Sequence, residues 1–157
     1  MAMPAYMKIE TIPGGCRIEK REGYIEVLEF NHQVRLPTDP DTGGLTGTRK
    51  HEPVVFVKEF DKASPLLYKA VCNGSTIPKV TITWFQVNEE GSEKPYFTHT
   101  FEKVRICSVQ AIMRNVKDPG NDRYVHMEEV SLRYEKVTWL FIEGTIQHDD
   151  SWFEKRE

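Results

Sequence analysis

Apolar and charged residues alternate from Tyr24 to Leu36, in Ile25-Glu26-Val27 and again in Leu28-Glu29-Phe30, the period of a strand with one wet face. The apolar face changes parity near Leu28. That shift predicts a bulge, or a strand shared between two sheets, of the kind found at barrel corners. A second strand is expected at Pro53 to Lys58, with Pro53 at its start, where no ladder donor is needed. Val80 to Val87 and Tyr96 to Phe101 read as a hairpin through Asn88 to Pro95, turned by Gly91. Further strands are expected at Val104 to Ile112, at Glu128 to Lys136 with Val130, Leu132 and Tyr134 on one face, and at Val137 to Ile146.

One segment has helical spacing instead. Ser64 is placed to cap it, Pro65 suits its first turn, and Asn73-Gly74 supplies a left-handed stop. Leu66, Leu67, Ala70 and Val71 form the apolar stripe, and a helix of about three turns must dock through such a stripe to persist. Two long polar connections remain, Pro37 to His51 and Arg114 to Tyr124, the second containing Asp118-Pro119-Gly120-Asn121. Compact domains usually join strands through about 2–5 residues, so the connection from Pro37 to His51 indicates recognition, assembly or disorder, and assembly is favoured. The expected fold is mainly β: a β-barrel of two packed antiparallel sheets with one flanking α-helix and a long extended loop. It is expected as a single domain over residues 1–157, with 148–157 as a C-terminal tail.

A hydrophobic content of 39% over 157 residues is enough for one sizeable core and argues against disorder of the whole chain. The net charge of −3, with no Lys/Arg-rich run of five or more, argues against a nucleic-acid partner. Cys16, Cys72 and Cys107 are odd in number and widely spaced, which suits a reducing compartment better than a disulfide framework. Met1 to Lys8 lacks a signal-peptide pattern, and no apolar run reaches the roughly 18 residues needed to span a bilayer. The expectation is a cytoplasmic protein with no membrane partner, whose export would use a route without a cleavable signal.

Catalytic and metal motifs weigh little. Gly43 to Lys50 has the glycines of a phosphate loop but neither its order nor a following helix, so the glycines are read as permitting positive φ. His148-Asp149-Asp150 has metal-ligand chemistry, but adjacent residues near a terminus rarely converge, and a solvated acidic tail is the plainer reading. His32, His51, His99 and His126 lie on different elements and are read as polar strand or loop positions. Glu128 and Glu129 point to opposite faces of one strand and so cannot act as a carboxylate pair. Cys107, within Val104 to Val109, is expected to be a buried thiol. No catalytic residue, cofactor or metal is expected.

Taken in order, Pro37-Thr38-Asp39, Thr42-Gly43, Leu45-Thr46-Gly47-Thr48-Arg49, His51-Glu52-Pro53, Lys62 to Ala70, and Leu132 to Trp139 resemble the haemolysin-coregulated protein (Hcp) family, the tube subunit of the bacterial type VI secretion system. The resemblance runs from Ala5 to about Trp152. It implies a barrel with a flanking helix, a homo-hexameric ring, and stacking of rings into a hollow, phage-tail-like tube that is fired outward. The partners it implies are a contractile sheath, a spike of the valine-glycine-repeat type, and effector proteins carried in the lumen. It also implies that Pro37, Thr38, Asp39, Thr42, Gly43, Leu45, Thr46, Gly47, Thr48, Arg49 and His51 lie at a subunit or ring interface. Because the sequence stops at Glu157, no fused toxin domain is expected. Two other readings stay open on the residues alone: a monomeric β-barrel that binds a ligand, and a hydrolase whose groups converge only in three dimensions.

Overall fold

The structure, a computed structural model, describes residues 3–152. Its elements in chain order are β1 (Ala5–Ile9), β2 (Ile25–Val27), β3 (Glu29–Asn31), β4 (Val34–Arg35), β5 (Lys50–His51), β6 (Val54–Glu59), α1 (Ser64–Asn73), β7 (Thr76–Val87), β8 (Glu93–Ile112), a 3-10 turn at Pro119–Asn121, β9 (Met127–Arg133), β10 (Lys136–Phe141) and β11 (Ile146–Ser151). The class is mainly β with one helix. There are two antiparallel sheets, as expected, but they are unequal: one of nine strands that curls on itself, and the two-stranded ribbon of β4 and β5.

The parity change at Leu28 has a clear structural cause. The main path of the sheet is β2-β1-β7-β8-β9-β6-β3, so its two ends are strands that follow one another in the chain on either side of Leu28. At this joint the Leu28 N–H donates to the Val57 carbonyl at 2.8 Å. The face that was inward against β1 must turn to stay inward against β6, and a single residue between the two strands makes that turn. No ladder joins β2 to β6 among the described residues, so the barrel is open along this seam.

The strands expected at Tyr96–Phe101 and Val104–Ile112 are one continuous strand, β8. Lys103, at φ 52°, kinks it without ending it. One edge of this strand serves two partners in turn: Phe97 to Glu102 pair with β10, and Arg105 to Ile112 pair with β9. A second revision concerns Val137 to Ile146, which is not a single strand. Gly144 at φ 77° and Thr145 at φ 51° turn the chain back, and β11 then pairs with β10 from Phe141↔Ile146 to Lys136↔Ser151. The expected tail is therefore partly sheet, and the rest of it, 153–157, lies outside the described residues.

Alternation carries the core across the strands. Met7, Ile82, His99, Trp139 and His148 are successive register partners, as are Ile9, Val80, Phe101, Val137 and Asp150. Ile82, Val80, Phe101 and Val137 of these rows are fully buried. Cys107 departs from expectation because it sits at the register shift between Ile106 and Ser108, which leaves it exposed rather than packed.

Candidate assembly surface and its buried anchor

The connection from Pro37 to His51 is an ordered arm. Its base is the β4–β5 ribbon, with Val34 opposite His51 and Arg35 opposite Lys50. Above the base the Thr46 N–H donates to the Pro37 carbonyl at 3.0 Å, and Thr38 bridges Leu45. The tip closes on itself: Asp39 Oδ1 accepts from the Asp41 N–H at 2.8 Å, and the Asp39 N–H donates to the Gly44 carbonyl at 2.7 Å. Gly43, at φ 73°, supplies the left-handed position this closure needs. The arm thus satisfies much of its own backbone and leaves its side chains outside. Leu45 is 69% exposed and Leu36 50%.

Arg49 and His51, grouped with the arm by sequence, turn back into their own chain. Arg49 Nε forms an ion pair with Asp150 Oδ2, and its second guanidinium nitrogen donates to the Ser151 carbonyl at 2.8 Å. His51 is buried, with Nε2 at 2.7 Å from Asp150 Oδ2 and Nδ1 at 2.6 Å from the Tyr134 hydroxyl. Tyr134 is in turn 2.7 Å from His32 Nε2. A hydroxyl has one proton to give. With the imidazoles neutral, the donors therefore run one way, from His32 Nε2–H to Tyr134 and from Tyr134 O–H to His51 Nδ1, while His51 Nε2–H donates to Asp150.

Aromatic rings enclose this chain of bonds. His32 stacks on Trp139 and meets Phe101, Tyr134 and His99 edge-on, and Trp139 stacks on its ladder partner His148. His99 Nδ1 accepts from Trp84 Nε1 at 2.9 Å, which leaves its proton on Nε2. Burial, and then the neighbouring His51, lowers the pKa of His32 to about 4; burial, and then His32, does the same for His99. Burial, and next Asp150, push the Tyr134 phenol up. Such side chains hold a structure together at neutral pH rather than trade protons, and they clamp the arm's base to the turn after β9 and to β11.

The helix docks through the stripe read from the sequence: Leu67 and Ala70 are buried, and Leu66 and Val71 pack on the core at its margin. Ser64 is not its cap, since the cap position falls to Ala63. The Ser64 hydroxyl instead donates to Glu128 Oε1 at 2.7 Å and accepts from Lys58 Nζ at 3.2 Å. Lys58 and Glu128, both buried, are 2.5 Å apart, and Lys58 also reaches Asp61 at 2.8 Å. Neither buried charge was legible in the sequence. Each occupies an alternating strand position, where a long polar side chain ordinarily indicates the wet face.

The family model described as "Type VI secretion system effector, Hcp" matches residues 6–141. The chain belongs to the Hcp family. The "Major exported protein" of Pseudomonas aeruginosa is 39% identical, with 96% of each chain covered. Hcp1 of E. coli superposes with a TM-score of 0.86 at 39% identity, covering 97% of this chain and 100% of that one. The secreted protein Hcp3 of Pseudomonas aeruginosa does so at 0.78 and 30% identity, covering 98% and 100%. The Hcp family comprises structural secreted components of the type VI system.

The candidate metal motif of this Hcp chain comes apart in the fold. His148 stacks on Trp139, Asp150 turns inward to His51, and Asp149 faces the other way, 3.5 Å from Lys136. On that opposite face Lys8, Thr81, Thr100, Thr138 and Asp149 form one row across β1, β7, β8, β10 and β11. A shallow cavity of about 400 Å³ lies beside it, lined by Lys8, Glu10, Tyr24, Lys79, Thr81 and Thr83, a solvated sheet face.

Proposed function

We propose that this chain is a subunit of the type VI secretion inner tube, forming six-membered rings that stack into a hollow conduit and travel outward with effectors inside. The observation that carries the reading is the arm. A hairpin that satisfies its own backbone, is clamped at its base by a buried Arg49–Asp150–His51 cluster, and holds Leu36 and Leu45 in water serves no purpose in a monomer. A neighbouring subunit gives those leucines a place to go. Edge strands and heterologous contacts suit a ring, since a head-to-tail interface closes when its rotation closes. The threonine row, bounded by Lys8 and Asp149, gives a polar face five strands wide, which suits a wall wetted on one side. Sheath and spike complete the machine by family likeness. Negative-stain electron microscopy of the purified chain tests the reading: six-fold rings, alone or stacked, support it, and a field of small single particles overturns it.

A further inference from the structure

The connection from Met113 to His126 is also built, and it carries an apolar hollow. Its 3-10 turn is capped by Asp118, whose Oδ1 accepts from the Gly120 N–H at 2.9 Å, and Asn121 Nδ2 donates to the Asn115 carbonyl at 3.2 Å. Within this frame lies a cavity of about 240 Å³ whose apolar lining is Met113, Val116, Tyr124 and Val125, with Asn121 and His126 also on its wall and Arg114 set over the Tyr124 ring. The lining is wet in the single chain: Met113 is 66% exposed and Val116 72%. We infer that this cavity receives Leu45 from the arm of a second copy of the chain, joining copies head to tail. The inference rests on the tube reading and adds to it the residues by which one ring engages the next.

Topology, charge and shape each point to that occupant. The arm and the cavity sit at opposite ends of the same strand pair: β6 leaves the arm's base, pairs with β9 from Val54↔Leu132 to Glu59↔Met127, and ends where the Phe60 N–H donates to the His126 carbonyl. The two ends are roughly 15–20 Å apart along β6. A copy displaced along that strand therefore brings its arm onto the cavity, a heterologous contact that repeats without limit, as stacking requires. The arm carries Asp39 and Asp41 and no cation between Leu36 and Thr48, whereas the cavity loop carries Arg114, Lys117 and Arg123 against Asp118 and Asp122. Of those two acids, Asp118 is engaged in its own cap. An exposed leucine on a rigid acidic hairpin matches an exposed hollow on a basic loop.

A photocrosslinking residue, benzoylphenylalanine, placed at position 45 of the full chain in assembled protein tests the contact, with isotopically labelled and unlabelled copies mixed. The expected product joins position 45 of one copy to a peptide within 113–126 of another. Leu45→Asp and Val125→Asp should each raise the concentration needed for stacking by about tenfold or more while leaving melting temperature and ring mass unchanged. Rings that crosslink elsewhere, or only within one chain, overturn the receptor and leave the tube reading standing. A parent chain that stays monomeric overturns both. If Val125→Asp stacks normally but is not exported, the cavity serves another component of the machine and the inference fails.

Discussion

Asp150 accepts a hydrogen bond at 2.7 Å from His51, a residue 99 positions earlier, and the same carboxylate oxygen pairs with Arg49. One acid on the last described strand thus holds the base of the arm. From sequence, Arg49→Glu is expected to leave thermal stability nearly intact and to loosen only subunit contacts. The structure revises this. Reversing the charge beside a buried carboxylate should destabilise the protomer, and Asp150→Ala, which removes the carboxylate that Arg49 and His51 share, should cost about 2–4 kcal/mol. Urea unfolding of the two variants checks it; midpoints equal to the parent's would remove the clamp from the account.

The histidine cluster predicts a stability that falls on acidification. His32 and His99 have folded pKa values of about 4 against an ordinary 6.5, so between those values the unfolded chain binds protons that the folded chain does not. Stability is full above pH 6.5 and declines as pH drops toward 4. Denaturant midpoints across pH 4.5 to 7.5, for the parent and for His99→Gln, measure it. The variant should show a shallower decline, and identical slopes would contradict the assignment.

Leu67, fully buried on α1, should cost about 2–5 kcal/mol when replaced by alanine. A thermal melt that barely moves would mean that the helix docks by another face.

The buried pair of Lys58 and Glu128 predicts a non-additive pattern. Lys58→Met alone leaves the buried Glu128 carboxylate without its cation and should cost about 3–5 kcal/mol, whereas Lys58→Met with Glu128→Leu should recover most of it. A double-mutant cycle reads the coupling directly, and additive costs would show that the two charges act separately.

The extent to which this fold was legible depended on whether a residue's partners were local. The stripe Leu66, Leu67, Ala70 and Val71 shows in the sequence because helical spacing is a short-range signal. The alternation of Val130, Leu132 and Tyr134 shows for the same reason. The turn at Gly144 and Thr145 was missed because one glycine inside an apolar run carries little turn signal. Asp150 looked like part of a solvated tail, and His51 like a loop residue, since each is explained only by the other across the fold. Lys58 and Glu128 were hidden in the same way. The arm itself was plain from its length and polarity, but nothing local distinguishes Leu45, which faces water, from Arg49, which turns inward.

The central claim, that this chain is built to be one of a ring, is tested most directly by its mass in solution. Light scattering coupled to gel filtration, over a wide range of protein concentration, should find a species of six subunits, several times the single-chain 18.3 kDa. A mass that stays at one subunit even in concentrated protein would contradict the account and favour a barrel that works alone.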